Sequence, residues 1–268
     1  MKQNGASMIE IEFRNVGKRF ATRKTPDAPF AVKSVNLQIM SGEVVSIIGP
    51  SGCGKSTLLN MGSGIYQPTE GEVFVSGQRV TGPVPKVAFM LQKDLLMPWR
   101  SIRSNVELGL EIGGMPQEQR SKIANEQLAR CHLKGFEDHF PYQLSGGMRQ
   151  RAALARTLAI DPQVLLLDEP FSALDAQTKM VLQQDLAQTV YEQKKTALLI
   201  THDLVEAVAL SDRLLVMSSR PGTIVEEIVV GLPYRENPLE RRKLPEIGPI
   251  VGRLMELLKV GKESVELH

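Results

Sequence analysis

Apolar positions recur along the chain in two rhythms. Residues 9–13 (IEIEF) alternate apolar and charged side chains, the period-two pattern of a strand with one wet face. Residues 35–39 read as a second short strand, whereas 44–48 (VVSII) and 164–167 (VLLL) are apolar almost throughout, as a strand buried on both faces requires. Further strands are predicted at 72–76, 86–91, 196–200, 213–217 and 223–230, and helices at 55–63, 118–131, 148–160, 178–192, 204–210 and 250–259. Strands alternating with helices predict an α/β fold around a largely parallel sheet, with an N-terminal antiparallel β portion. Between about residues 94 and 161 strand-like runs are few, so this stretch reads as a helical insertion. The expected organisation is a discontinuous core (1–92 and 161–230), an inserted helical subdomain (93–160) and a short tail (231–268). Residues 21–29 (ATRKTPDAP) read as a polar, proline-bearing loop.

Composition narrows the classes. Of 268 residues, 42% are apolar, enough for a sizeable core. The 32 basic and 30 acidic residues leave a net charge of +2, which argues against general nucleic-acid binding, where a strong basic excess is usual. Cys53 and Cys131 have neither a pairing framework nor metal-ligand spacing, so a reducing cytosol is expected. The first ten residues lack the apolar core of a secretory leader, and no run reaches the ~18 apolar residues of a membrane span. A role in transport would therefore require other chains to form the channel.

Residues 49–56 (GPSGCGKS) fit the pattern G-x-x-x-x-G-K-[ST], between a buried strand and a helix. Gly49, Gly52 and Gly54 let successive backbone N–H groups curl around phosphate oxygens, with Pro50, Ser51 and Cys53 completing the loop. Thr57 lies in the first turn of the helix, whose N-terminus adds partial positive charge. Lys55 supplies a point charge for β- and γ-phosphates, and Ser56 a hydroxyl for Mg²⁺. Cys53 reads as a small spacer. At the end of the second buried run stand Asp168 and Glu169, where ligands of α/β sheets bind. Asp168 is placed to hold Mg²⁺, directly or through water, and Glu169 to take a proton from attacking water or orient it.

A third motif, residues 144–151 (LSGGMRQR), opens a helix at paired glycines. Ser145, Gly146 and Gly147 would make a second anion site there, so one chain carries two phosphate-binding devices. In this order of motifs the sequence resembles the ABC ATPase family over about residues 9–230. The resemblance implies a P-loop NTPase core of ABC type that binds ATP and Mg²⁺ and hydrolyses ATP. It implies that Ser145, Gly146 and Gly147 of one subunit contact the γ-phosphate held by a second copy, head to tail. It makes Gln92 the residue that senses Mg²⁺ and the membrane partner, Asp175 (in SALD, 172–175) part of a loop crossing the dimer interface, and His202 a γ-phosphate contact. Phe20, ending VGKRF (16–20), resembles the aromatic that stacks on adenine; from the residues alone it could equally be core. Met148 stands where the family's commonest signature has glutamine, which touches only side-chain contacts made there.

Residues 92–99 (QKDLLMPW) with Asn105 and Val106, and residues 220–227 (RPGTIVEE), resemble importer ATPases of the nitrate, sulfonate and taurine group. That implies transmembrane permease subunits as partners, a periplasmic or extracellular solute-binding protein indirectly, and a peripheral position on the cytoplasmic face of the membrane. The apolar stretch 95–99 reads either as a docking patch or as core of the insertion. The rival classes are a soluble ABC ATPase of DNA repair or translation, and a binding-only regulatory subunit. The single cassette without sustained heptads opposes the first; Lys55, Asp168, Glu169 and His202 oppose the second.

Overall fold

The computed structural model describes residues 8–22, 25 and 27–259; the expectations for residues 1–7, for part of the 21–29 loop and for the end of the tail lie outside them. The alternation at 9–13 begins a longer strand, β1 (Ile9–Arg19), paired antiparallel with β2 (Phe30–Met40). Both strands run past the point where their pattern breaks. Register slips between Phe13 and Val16, and Asn15 and Ser34 take φ of 47° and 51°. A bulge of this kind interrupts alternation without ending the ladder.

Next come β3 (Val44–Ile48), α1 (Lys55–Gly62), β4 (Glu70–Val75), the two-residue β5 (Gln78–Arg79) and β6 (Val87–Met90). β4 pairs antiparallel with both β1 and β5, completing a four-stranded sheet ordered β2-β1-β4-β5.

Residues 93–160 hold α2 (Ile102–Ile112), α3 (Gln117–Arg130) and α4 (Gly146–Ala159), and no strand of either sheet. α2 is absent from the sequence expectation. Its buried Ile102, Val106 and Leu110 stand four apart, but Gly109 reads as a breaker. The fold gives that glycine a packing role: a Cβ there would lie 2.4 Å from Ile160 Cγ2, just past α4. α4 begins two residues earlier than expected because Ser145 caps it, accepting from the Met148 N–H at 3.3 Å.

β7 (Val164–Asp168), α5 (Ala176–Glu192), β8 (Thr196–Ile200), α6 (Leu204–Leu210), β9 (Arg213–Met217) and β10 (Ile224–Val229) alternate as the pattern predicts. With β3 and β6 these strands form a six-stranded sheet ordered β10-β9-β3-β8-β7-β6. All neighbours are parallel except β10, which runs antiparallel to β9. The lack of alternation in β7 follows from its position. Val164 and Leu166 share a core with Phe13, Val35 and Leu58 beneath the antiparallel sheet. Leu165 and Leu167 face the helices, with Val106, Leu128, Ala152 and Leu186.

The tail adds α7 (Pro238–Arg241) and α8 (Ile247–Leu257), and Leu254 of α8 packs with Ala207, Leu214 and Val216. Arg241 is buried and donates to the carbonyls of Leu232, Ser211, Pro233 and Ala209 at 2.7, 2.9, 3.1 and 3.4 Å. No helix among the described residues is long and apolar enough to cross a membrane.

Candidate functional site

Parallel strands β3, β6, β7 and β8 end at one edge of the sheet, so the residues that follow them meet there. After β3 the chain turns through residues 49–54 into α1. Gly54 sits at φ 105°, and a Cβ on it would meet Val32 Cγ1 at 2.3 Å; at Gly49 a Cβ would lie 3.0 Å from both Cys53 Sγ and the Met217 carbonyl oxygen. The loop is thus wedged between β2 and the end of β9 where only glycine fits. Gly52, at φ 76°, faces open space. Lys55 Nζ folds back to donate to the Gly49 and Pro50 carbonyls at 2.8 and 2.9 Å, near Cys53 Sγ at 3.9 Å. Cys53 is buried, as a spacer would be.

Asp168 ends β7 with 5% exposure, beside the Ser56 side chain. Burial pushes its carboxyl above the usual range and Glu169's charge adds to that, while Ser56 and Lys55 oppose it. Glu169 takes φ 50°, a left-handed conformation uncommon outside glycine, and its N–H donates to the Ile200 carbonyl at 2.9 Å. That turn brings its carboxylate to Gln92, whose Nε2 donates to Oε2 at 3.2 Å, and to His202, whose Nδ1 lies 3.4 Å from the same oxygen. Three strand ends therefore converge on one carboxylate.

These groups line a cleft of about 370 Å³, bounded by Ser51, Gly52, Gly54, Lys55, Ser56 and Thr57 on one side and Gln92, Asp168 and Glu169 on the other. Its donors suit a nucleotide: a lysine and helix N-terminus for phosphates, and a hydroxyl, carboxylate and amide oxygen for a cation. Mg²⁺ is commonly held by just one or two carboxylates together with substrate phosphates. Phe20 reaches the mouth of the cleft. It is half-exposed rather than core, edge-on to Tyr66 with ring centroids 5.5 Å apart, and Lys18 Nζ lies 5.5 Å from its ring.

Ser145, Gly146, Gly147 and Asp175 do not line this cleft. Ser145 and Gly146 are exposed at the start of α4. A Cβ on Gly147 would crowd the Ala173 carbonyl at 3.2 Å, while Gly146 is open. Met148 turns its side chain into the helical core, so the departure from glutamine becomes a packing contact. Asp175 caps α5, and the Thr178 N–H bond, 3.0 Å long, holds its carboxyl below the usual range.

The structure adds residues that the motifs did not single out. Ala31 lines the cleft and Tyr66 abuts Phe20, and their sequence separation leaves no pattern to find them by; Arg220, which opens the 220–227 stretch, also lines the cleft, a position that the stretch does not announce. Gln150, within the third motif, is 4% exposed and reaches the backbone of Glu169 and Ala173. Asn105 is buried and staples the preceding loop, accepting from the Met97 N–H at 2.7 Å and donating to the Met97, Arg100 and Ser101 carbonyls at 3.1 Å. The loop thus holds Leu95 and Trp99 outward, at 56% and 73% exposure, so neither is core of the insertion; of residues 95–99 only Leu96 is buried. Cys131 is buried as well, which pushes its thiol up to about 12.

The sequence profile of the ABC transporter family matches residues 32–172. An uncharacterized ABC transporter ATP-binding protein of Methanocaldococcus jannaschii, MJ0412, is 46% identical over 244 residues, covering 91% of this chain and 90% of that protein. The taurine import ATP-binding protein TauB of Yersinia pestis is 48% identical over 205 residues, covering 76% of this chain and 80% of TauB. Among solved structures, the ATP-binding cassette MJ0796, dimeric in a post-hydrolysis state with ADP and Pi, matches with a TM-score of 0.75 and 36% identity, over 82% of this chain and 98% of that one.

Proposed function

The chain belongs to the ABC transporter family as an ATP-binding subunit that hydrolyses ATP, and on that premise we propose that it drives an importer as a head-to-tail pair with a second copy. The observation that carries the pairing is the separation of its two anion sites. Ser145 and Gly146 open a helix at the surface and do not line the chain's own nucleotide cleft, so a phosphate for them must come from another chain. MJ0796, a cassette of this fold, is dimeric. A two-fold pair makes the contact twice, each signature helix closing the other's cleft.

In this reading Lys55 and the N–H groups of residues 51–57 hold the β- and γ-phosphates. Ser56, Asp168 and Gln92 would hold Mg²⁺, which would supply charge neutralisation for the phosphates. Glu169 orients the attacking water or takes its proton, with Gln92 and His202 fixing the carboxylate. His202 also meets the γ-phosphate, and Phe20 stacks on adenine. Most of the catalysis is positioning and charge neutralisation, since phosphoryl transfer asks little covalent work of the protein.

The cargo in this reading is a small anion such as nitrate, a sulfonate or taurine, an assignment supported by residues 92–106 and 220–227 and by the likeness to TauB. A permease docks on Leu95 and Trp99 at the cytoplasmic face of the membrane, and a solute-binding protein delivers cargo from the other side. Lys93→Glu or Trp99→Ala should leave the ATPase of the isolated subunit within about two-fold while uptake and co-purification with membranes fall. Arg100 is a poor probe of this surface, because it pairs with Glu111 at 2.8 Å and is half-buried. Full uptake by folded Lys93→Glu and Trp99→Ala subunits would move the docking site elsewhere.

A further inference from the structure

Glu169 holds a left-handed backbone conformation at φ 50°, and something must maintain it. Its carbonyl accepts from Gln150 Nε2 at 2.9 Å, from Ser172 Oγ at 3.0 Å and from the Ser172 N–H at 3.3 Å. The two Ser172 donors belong to the turn itself. Gln150 comes from α4, far along the chain and 4% exposed. Its other end, Oε1, accepts from the Ala173 N–H at 2.8 Å. One buried amide thus spans residues 169–173 at both ends, using a donor and an acceptor at once, which fixes its orientation. The same helix starts at Ser145, five residues away.

We propose that Gln150 is a positioning residue for the Glu169 carboxylate of its own chain, and that it ties this carboxylate to the helix whose first turn meets the partner's nucleotide. The inference rests on the head-to-tail reading above. A displacement of α4 when the partner's phosphate binds Ser145 is passed through Gln150 to the backbone of Glu169, so each site reports its occupancy to the other. Gln150 does not line the nucleotide cleft, so it acts through Glu169.

Two variants probe it. Gln150→Glu keeps length and acceptor but loses the donor to Glu169; Gln150→Met keeps the bulk and loses both. In the paired protein each should lower kcat about ten-fold or more, with KM for ATP within about two-fold, the signature of a misplaced rather than missing group. Added to Glu169→Gln, the same changes should leave the residual rate where it was, although any loss of Tm persists. A further fall in that background would show that Gln150 does not act through Glu169 and would overturn the proposal.

The direction of action is read in mixed dimers. A Ser145→Arg chain paired with a Lys55→Ala chain has one live site, with Glu169 from the first and Ser145 from the second. Gln150→Glu in the first chain should lower its rate; in the second it should not. A loss confined to the second chain makes Gln150 a signature-helix residue and sinks the proposal. Failure of the unmodified mixture to recover any rate would count against the head-to-tail reading and with it the link between sites; the kcat and double-variant readouts would then still decide the positioning role.

Discussion

Alanine at Gly54 isolates the demand that the phosphate loop makes on its own backbone. Two costs add. At φ 105° the residue lies in a region that side chains avoid, worth about 1–2 kcal/mol for an L-residue forced there. The new Cβ would lie 2.3 Å from Cγ1 of Val32, which is fully buried, and 3.1 Å from the Ala31 carbonyl oxygen. Overpacking of that kind costs about 1–3 kcal/mol. The sum, about 2–5 kcal/mol, lowers Tm by roughly 4–20 °C in a chain of this size. Gly52 is the control. Its φ is 76° with open space around its Cβ position, so Gly52→Ala carries the conformational cost alone, about 1–2 kcal/mol or roughly 2–8 °C. Calorimetry without nucleotide compares the two, and Val32→Ala completes a double-mutant cycle. In the Val32→Ala background Gly54→Ala should cost less by the clash, about 1–3 kcal/mol. Equal Tm losses at Gly52 and Gly54, or a Gly54 cost unchanged by Val32→Ala, would refute the reasoning.

Glu169→Gln should keep ATP binding and lower kcat by about 10²–10⁴-fold, accumulating an ATP-bound dimer on size exclusion; near-normal turnover removes Glu169 from its role. Asp168 has a folded pKa raised by burial, so between its unfolded and folded values the native state holds the extra proton. Its contribution to stability therefore falls as pH rises through that window. Asp168→Asn should raise the nucleotide-free Tm at pH 7, lose the advantage towards acid and lose Mg²⁺-dependent hydrolysis; a lower Tm at pH 7 contradicts this. Arg241→Met removes the donor from four carbonyls, those of Ala209 and Ser211 buried, but recovers the desolvation of the charge, for a net loss of about 2–4 kcal/mol in urea unfolding with kcat at low temperature unchanged.

Much of this was legible because short-range physics dictated it. Strands β3, β8 and β9 are read to their boundaries and β7 to within one residue, since burial on both faces leaves an unbroken apolar run. The ends of β1 and β2 were hidden by bulges at Asn15 and Ser34, where two strands break pattern together. α2 was hidden by Gly109, whose reason is the approach of Ile160, more than forty residues on. In the site, Lys55, Ser56, Asp168 and Glu169 stand in local motifs that phosphate chemistry requires. The contact of Tyr66, the cleft position of Arg220 and the reach of Gln150 arise only when distant elements pack, so no spacing in the chain announces them. Trp99 could be read as core or as surface, and Asn105 settles it by holding the loop outward.

The claim on which the rest depends is that one chain's signature helix completes the other's nucleotide site. Ser145→Arg and Lys55→Ala chains should each be inactive alone. Mixed in equal amounts and allowed to exchange, half the dimers carry one intact site and one doubly damaged site. Head-to-tail pairing predicts ATPase recovery to about a quarter of the wild-type rate if a single site turns over on its own. With exchange demonstrated by differently tagged chains, a mixture that stays at the baseline of its parents contradicts the account.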